Sequence, residues 1–510
     1  MAFLGDVHGL MDVVLWCVLT VTVLLLCQAA AVVWRSLQRV KLQEKVLPVP
    51  PGAHWLFGHT ILGKDLEKES LEWTTEYKYA YLFKYGAGMT HCSVVHPEYV
   101  KKVFSSISDK GAFPYSVLRP WLGDGLLISS GARWFRNRRL LTPAFHFEVL
   151  KPYIGLFSES TNVMLKKWAE LGPGSSVDVF HHVSLMTLDS MLKCALGQNT
   201  DCQTSKTNNY ISAVLELSDL TMQRLANLFH YALKDRLYFW LTSSGRRYKK
   251  ARDSAHRYSE TIIKERRETL DHPGSLGIQH GRKYLDFLDI LLKAKDEDGN
   301  GLTNAEIRDE VDTFMFEGHD TTASGLSWTL YCLARHPGHQ EKCRKEAQEV
   351  LQGRTEVTWD NLSSLKYLTL CIKESLRMYP PVAKVLRELK EPMTFFDGKT
   401  LPQGSTVFIS ISNLHYNPHV WENPKEFDPL RFAPENSKNR SPYAFLPFAA
   451  GPRNCIGQHF AMNELKTALA LILQRFSLAP DDTLPEPVPQ YQLVTRAKPP
   501  GLFLKIKPIE

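Results

Sequence analysis

Val13 to Trp34 is almost unbroken apolar sequence, interrupted only by Thr20, Thr22 and Gln28. At about 1.5 Å per residue this run can span a hydrocarbon core of roughly 30 Å, so the pattern predicts a membrane-crossing helix. Asp6 and Asp12 precede it with no Lys or Arg, and Arg35, Arg39, Lys41 and Lys45 follow it. Basic flanks stay on the cytoplasmic side, which puts the chain after residue 35 in the cytosol. The rival reading is a cleaved signal sequence cut near Ala29-Ala30-Ala31. The length of the run and the absence of positive charge before it favour an anchor.

Leu47-Pro48-Val49-Pro50-Pro51-Gly52 then predicts a stiff, extended connector. No other linker of that strength occurs, so the chain divides into an anchor with its basic flank, 1–46, and one catalytic domain, 47–510. Ala80–Lys84 and Met89–Val95 read as paired strands around Gly86-Ala87-Gly88, and Thr406–Ile411 alternates like another strand. Helical periodicity fills most of 140–380, while 272–283 reads as an exposed loop. The expected fold class is mainly α with small β-sheets (α+β), behind an N-terminal anchor helix.

The longest helix opens on the capping box Thr303-Asn304-Ala305-Glu306 and runs to about Arg335, before His336-Pro337-Gly338. Its middle is unlike an ordinary core helix. Gly318 costs about 1 kcal/mol against alanine, and His319, Asp320, Thr321 and Thr322 follow it. A glycine there would let a flat ligand approach the backbone. Asp320 beside Thr321 supplies an acid and an alcohol that can relay protons.

Cys455 lies in Phe448-Ala449-Ala450-Gly451-Pro452-Arg453-Asn454-Cys455-Ile456-Gly457, a tight turn before a helical stretch from Gln458. A cysteine ahead of a helix start meets free N–H groups and the positive end of the dipole. Arg453 adds charge nearby, and both effects favour a thiolate. One cysteine without a neighbouring CxxC argues against zinc and iron–sulfur sites. It suits an iron whose other ligands come from a porphyrin.

Bulk properties narrow the rest. The net charge of +7 over 510 residues is too diffuse for a nucleic-acid binder and fits an acidic partner or an anionic membrane face. Nine singly scattered cysteines show no disulfide framework, which suits a reducing compartment.

The Phe448–Gly457 segment resembles the haem-binding loop of the cytochrome P-450 superfamily, the haem-thiolate monooxygenases. Gly318, Asp320 and Thr321 occupy the positions of its oxygen-binding motif. The longer stretch Glu310 to Thr322 is similar to the hallmark of family 4, the fatty-acid ω-hydroxylases, without choosing among the 4A, 4B and 4F branches.

That resemblance implies the superfamily fold and haem b (iron protoporphyrin IX) ligated by Cys455, with Phe448 and Gly318 beside it. It implies an ester between Glu317 and a haem methyl. Trp134, Arg138, Arg387 and Arg453 match its propionate donors, and Glu374, Arg377 and Arg431 its structural Glu–Arg–Arg cluster. Phe113, Tyr115, Val117, Val382 and Val385 match substrate-contact positions. The implied activity is O2- and NADPH-dependent hydroxylation of the terminal carbon of fatty acids or related lipids. The implied partners are NADPH-cytochrome reductase, with cytochrome b5 as a second donor, and membrane lipid. The implied location is the endoplasmic reticulum membrane with a cytosolic catalytic domain. Broad xenobiotic oxidation and hydroperoxide isomerisation are the alternatives. The intact Asp320–Thr321 pair argues against the second.

Overall fold

The first helix, α1 (Ala2–Glu44), is longer than the apolar run that predicts it. In its membrane-length part large side chains face outward, Trp16 at 70 % and Leu26 at 64 % exposed among them. That is the pattern of a helix whose solvent is lipid. Thr20 and Thr22 donate to the carbonyls four residues back, both at 2.7 Å, so the polar interruptions are satisfied internally. The last turns behave differently. Val40 and Gln43 are buried, Arg39 donates to Gly404 O at 2.9 Å, and Gln43 Nε2 donates to Ser405 Oγ at 2.9 Å. The expected connector is packed too: Pro48 O accepts from Leu82 N at 2.8 Å, and Pro50 O lies 3.0 Å from His59 Nε2.

The computed structural model describes residues 2–86, 89–106, 110–111, 115–198, 202–204, 209–227, 230, 233–271 and 285–509. The loop expected at 272–283 and the Ala87-Gly88 part of the first turn lie outside the described residues. The chain forms two units, Met1–Ser108 with Leu386–Ile409, and Asp109–Val385 with Ser410–Glu510.

The first unit holds α1 and a four-stranded sheet. Strands β1 (Ala80–Gly86) and β2 (Met89–Val94) pair antiparallel, Ala80 opposite Val94. Strands β3 (Lys384–Glu388) and β4 (Thr406–Ser410) complete the order β1–β2–β4–β3, with β4 parallel to β2. Trp73, Tyr81, Phe83 and Val95 form a core cluster against it.

The second unit is mostly helical. Its elements used below are α2 (Gly131–Leu141), α3 (Val179–Leu196), α4 (Asn209–Ala226), α5 (Asp235–Leu241), α6 (Ser243–Asp271), α7 (Asn304–Arg335), α8 (Lys366–Met378) and α9 (Gln458–Arg475). Ser175–Asp178, Phe503–Pro508 and Phe476–Pro480 form an antiparallel sheet with 503–508 central. A hairpin of β5 (Pro489–Tyr491) and β6 (Thr495–Ala497) is pinned at Thr495. Its N–H donates to Pro381 O at 2.8 Å, and its carbonyl accepts from Ser324 Oγ at 2.5 Å.

Helix α7 is the axis of this unit. Its capping box forms as expected, with Glu306 N donating to Thr303 Oγ1 at 3.2 Å and Thr303 N to Glu306 Oε2 at 2.9 Å. Its N-terminal half buries carboxylates that tie other segments to it. Glu310 accepts from Leu126 N and Asn137 Nδ2, both at 2.9 Å, and Asp312 accepts from Ser259 Oγ at 2.7 Å. Burial pushes both acids up to about 7. Glu374 and Arg377 of α8 are 0 % exposed and joined twice at 2.7 Å, and Arg431 Nε approaches Glu374 Oε1 at 3.4 Å. Three main-chain carbonyls, of His415, Pro424 and Glu426, occupy the remaining Arg377 donors.

Candidate active site

The Cys455 loop owes its shape to a few backbone choices. Ala449 and Gly451 adopt positive φ of 55° and 73°, which reverses the chain and lets Cys455 N donate to Phe448 O at 2.9 Å. Gly457 then leads into α9. A Cβ on Gly457 would stand 4.0 Å from Cys455 Sγ, in the space a planar ring on the sulfur would need. Helix α2 fastens the loop from the side. Arg138 donates to Asn454 O and Asn454 Oδ1, both at 2.9 Å. The Arg453 guanidinium lies 4.4 Å from the Trp134 ring centroid and donates to Ser129 O at 2.9 Å.

Cys455 is open to water-sized space, yet so deep in the protein that burial raises its thiol to about 11. A side chain that is both lines an internal hollow. Glu317 of α7 faces the same hollow. Its charge acts on Cys455, and both act on Arg138. Burial raises the Glu317 carboxyl, while Lys110 and Arg138 pull it down.

The thiolate expected at this position is that of an iron ligand, and the loop alone does not supply the charge that stabilises it. Desolvation outweighs the backbone N–H of Gly457 and the nearby cations. The cations acting on the sulfur are Arg138 and Lys110, and Arg453 is engaged with Ser129 and Trp134 instead. An anionic sulfur here needs a bound cation. Among the described residues no group of three or more His, Cys, Asp or Glu could hold a metal ion. An iron on Cys455 would therefore draw its remaining ligands from outside the chain, and a single thiolate with Arg138 close by is a donor set that fits a haem.

Across the hollow, Thr321 is half-buried and its Oγ1 donates to Glu317 O at 2.6 Å. Asp320 is 0 % exposed, and Arg496 Nη2 of β6 reaches both its oxygens, at 2.8 and 2.9 Å. The same guanidinium donates through Nη1 to Asp219 of α4 at 2.8 Å. At Gly318 a Cβ would meet Met191 Sδ of α3 at 2.5 Å, so the absent side chain also leaves room for α3 to pack closely on α7.

Other expected positions fall as follows. Tyr115 and Val117 are buried, Val382 and Val385 are half-buried, and Phe113 lies outside the described residues. Arg387 belongs to the first unit, where it donates to Leu386 O at 2.8 Å and lies 5.5 Å from the Phe104 ring. Arg496, Lys110 and Asn454 escaped the sequence reading. Arg496 follows Asp320 by 176 residues, and nothing local announces the pair.

The model of the cytochrome P450 family matches residues 48–504. The chain belongs to the cytochrome P450 family. Among its relatives, this P450 is 48 % identical to leukotriene-B4 omega-hydroxylase 3 of Mus musculus, over 91 % of this chain and 89 % of that one. It is 45 % identical to cytochrome P450 4A11 of Homo sapiens, over 99 % and 96 %. It is 46 % identical to the ultra-long-chain fatty acid omega-hydroxylase of Homo sapiens, over 91 % and 89 %. The crystal structure of the cytochrome P450DA heme domain superposes with a TM-score of 0.78 at 26 % identity, covering 91 % of this chain and 98 % of that one. This P450 therefore lies in the family 4 group, and it is a haem-thiolate monooxygenase with haem iron as cofactor. Its apolar first helix fits a membrane anchor.

Proposed function

We propose that this P450 hydroxylates the terminal carbon of fatty acids or related lipids at the endoplasmic reticulum membrane. Residues 1–46 anchor it and 47–510 carry out catalysis in the cytosol. The observation that carries the reading is one hollow bounded by Cys455 and Glu317, with the acid–alcohol pair Asp320–Thr321 beside Glu317. Relatives named for ω-hydroxylation support the substrate class.

Haem iron supplies activation of O2 with two electrons received singly from NADPH-cytochrome reductase, cytochrome b5 being a second donor. The chain does the rest. Cys455 would hold the iron as thiolate, the ligand type whose donation favours O2 activation in cysteine-ligated haem generally. Trp134, Arg138, Arg387 and Arg453 would hold the propionates, with Phe448 beside the sulfur. Thr321 would hold a proton at Oγ1 and Asp320 would replenish it. Attack on the terminal methyl is demanding because the adjacent methylene C–H is weaker, so the site must restrict access sterically. Tyr115, Val117, Val382, Val385 and Phe113 supply apolar lining.

Glu317 would restrain the haem through an ester between its carboxylate oxygen and a haem methyl carbon, the methyl giving up one C–H hydrogen in a two-electron oxidation for which O2 and NADPH supply the oxidant. Haem that extracts fully from acid-denatured enzyme after turnover would refute the ester.

The activity itself is tested by product analysis with NADPH and reductase across fatty acids of increasing length. Terminal alcohols are expected. An enzyme that gives none but isomerises a lipid hydroperoxide has another function.

A further inference from the structure

The seam between α4 and α6 carries buried polar groups that proton delivery and haem binding leave unused. Ser218, Thr221 and Arg224 recur every three residues on α4, and none is more than 2 % exposed. Tyr248 of α6, 0 % exposed, lies beside them, close enough for its phenol to feel Thr221 and the charge of Arg224. Thr221 and Tyr248 face each other as a hydroxyl pair, and among the described residues Ser218 Oγ, Arg224 Nε and Arg224 Nη1 have no hydrogen-bond partner. Arg224 Nη2 alone is engaged, by Asp235 Oδ1 at 2.6 Å and by Leu233 O at 3.4 Å. The guanidinium lies 4.3 Å from the Tyr238 ring centroid, which fixes its plane.

Buried polar groups are ordinarily paired, and three unpaired atoms in one seam need an explanation. All three can donate, and the Thr221–Tyr248 pair has one hydroxyl proton to spare beside them. That set matches a group which only accepts, and a guanidinium with spare donors favours a carboxylate above other acceptors. Asp235 cannot fill the role, since it is held at Nη2 and its side chain is 49 % exposed.

Position supports the match. Asp219 ties α4, through Arg496, to Asp320 beside Thr321. Arg224 lies five residues further along α4, about 7.5 Å down the axis and about 140° around it, beside α5. A fatty acid attacked at its terminal carbon holds its carboxylate far from the reacting end. Of the cations nearer the hollow, Arg138 is bonded to Asn454, Arg496 is shared by Asp320 and Asp219, and Lys110 acts on Cys455 and Glu317 at the reacting end.

We propose that Arg224, with Thr221, Ser218 and Tyr248, is the receptor for the carboxylate of the lipid substrate. This rests on the ω-hydroxylase reading. Arg224 sets which end of the lipid enters first, and so acts as a specificity-determining residue rather than a catalytic one.

Spectral titration of the haem-loaded full-length enzyme with dodecanoic acid and with methyl dodecanoate reads binding without turnover. Arg224→Met is expected to weaken the acid about tenfold or more while leaving the ester within about twofold, which corresponds to roughly 1 kcal/mol or more of discrimination. Tyr248→Phe leaves the Arg224–Asp235 pair intact and is expected to weaken the acid alone, by a smaller factor. It carries the test if Arg224→Met fails to give the thiolate-type reduced carbonyl spectrum. Equal weakening of both ligands, or unchanged affinity for the acid, overturns the receptor and leaves water as the occupant of the seam. Wild-type enzyme that forms terminal alcohols while Arg224→Met and Tyr248→Phe still bind acid and ester alike refutes the receptor only. Wild-type enzyme that binds neither lipid refutes the ω-hydroxylase reading as well.

Discussion

Glu374 and Asp320 are both carboxylates at 0 % exposure, and each is held through both oxygens by an arginine, Arg377 and Arg496 respectively. Their surroundings differ. Arg377 is also 0 % exposed, and its remaining donors end on three main-chain carbonyls, so no member of the pair can leave without stranding a charge. Arg496 has a second carboxylate, Asp219, whose side chain is 62 % exposed. It can lean toward Asp219 and loosen Asp320 without losing all compensation. Saturation of the partner, more than burial of the acid, separates a structural ion pair from one suited to proton delivery. Glu464 of α9 extends the series. It is 0 % exposed and has no guanidinium against it, and Ser190 is the neighbour that stabilises its anion.

The largest effect should come from Glu374→Ala. It leaves Arg377 buried and unpaired, at a cost of about 3–5 kcal/mol. Urea unfolding should show the loss, together with failure to retain haem. A variant with a wild-type midpoint would break the contrast.

Glu464 should show itself through pH. Burial raises its acid from the usual 4.5 to about 8, so between those values the folded state binds the proton and the unfolded state does not. Its contribution is fully present below about 4.5 and is lost as pH rises through about 8, amounting to up to about 4 kcal/mol between pH 5 and 8. In Glu464→Gln, stability measured across that window should fall less steeply. An unchanged slope would mean that another buried acid, such as Glu310 or Asp312, dominates.

Asp320→Asn should keep fold and haem, because the amide oxygen still accepts from Arg496, but should slow turnover by about 10²-fold as proton supply fails. Stopped-flow and steady-state rates with reductase, alongside the reduced carbonyl spectrum, check it. Asp219→Ala, at the exposed end of the same arginine, should cost less than about 1 kcal/mol in thermal unfolding. A collapse of stability there would show that Arg496 has no more freedom than Arg377.

Much of this molecule is legible along the chain. Thr303 and Glu306 start α7 where a capping box should, and the alternation at Ala80–Lys84 and Thr406–Ile411 marks real strands, the last residue, Ile411, opening a helix instead. The contacts of Cys455 are only partly legible. The turn is visible in Gly451, but the balance between helix dipole and desolvation depends on what covers the sulfur, and the cations that matter come from α2 and from Lys110. The packing of Gly318 is hidden for the same reason, since its neighbour Met191 lies 127 positions earlier in the chain.

The amino-acid sequence by itself determined an apolar first helix of membrane-spanning length, the single cysteine in its turn, the helix that carries Glu317, Asp320 and Thr321, and the family. Each of these is encoded in residues close together, where spacing and local backbone chemistry suffice. Tertiary structure alone decided which buried acids are paired. It gave Arg377 to Glu374 with no donor to spare, Arg496 to Asp320 with Asp219 in reserve, and Arg224 to Asp235 with two nitrogens unused. Protonation and ion pairing in a low-dielectric interior depend on every element that packs against a group, and those elements come from distant parts of the chain.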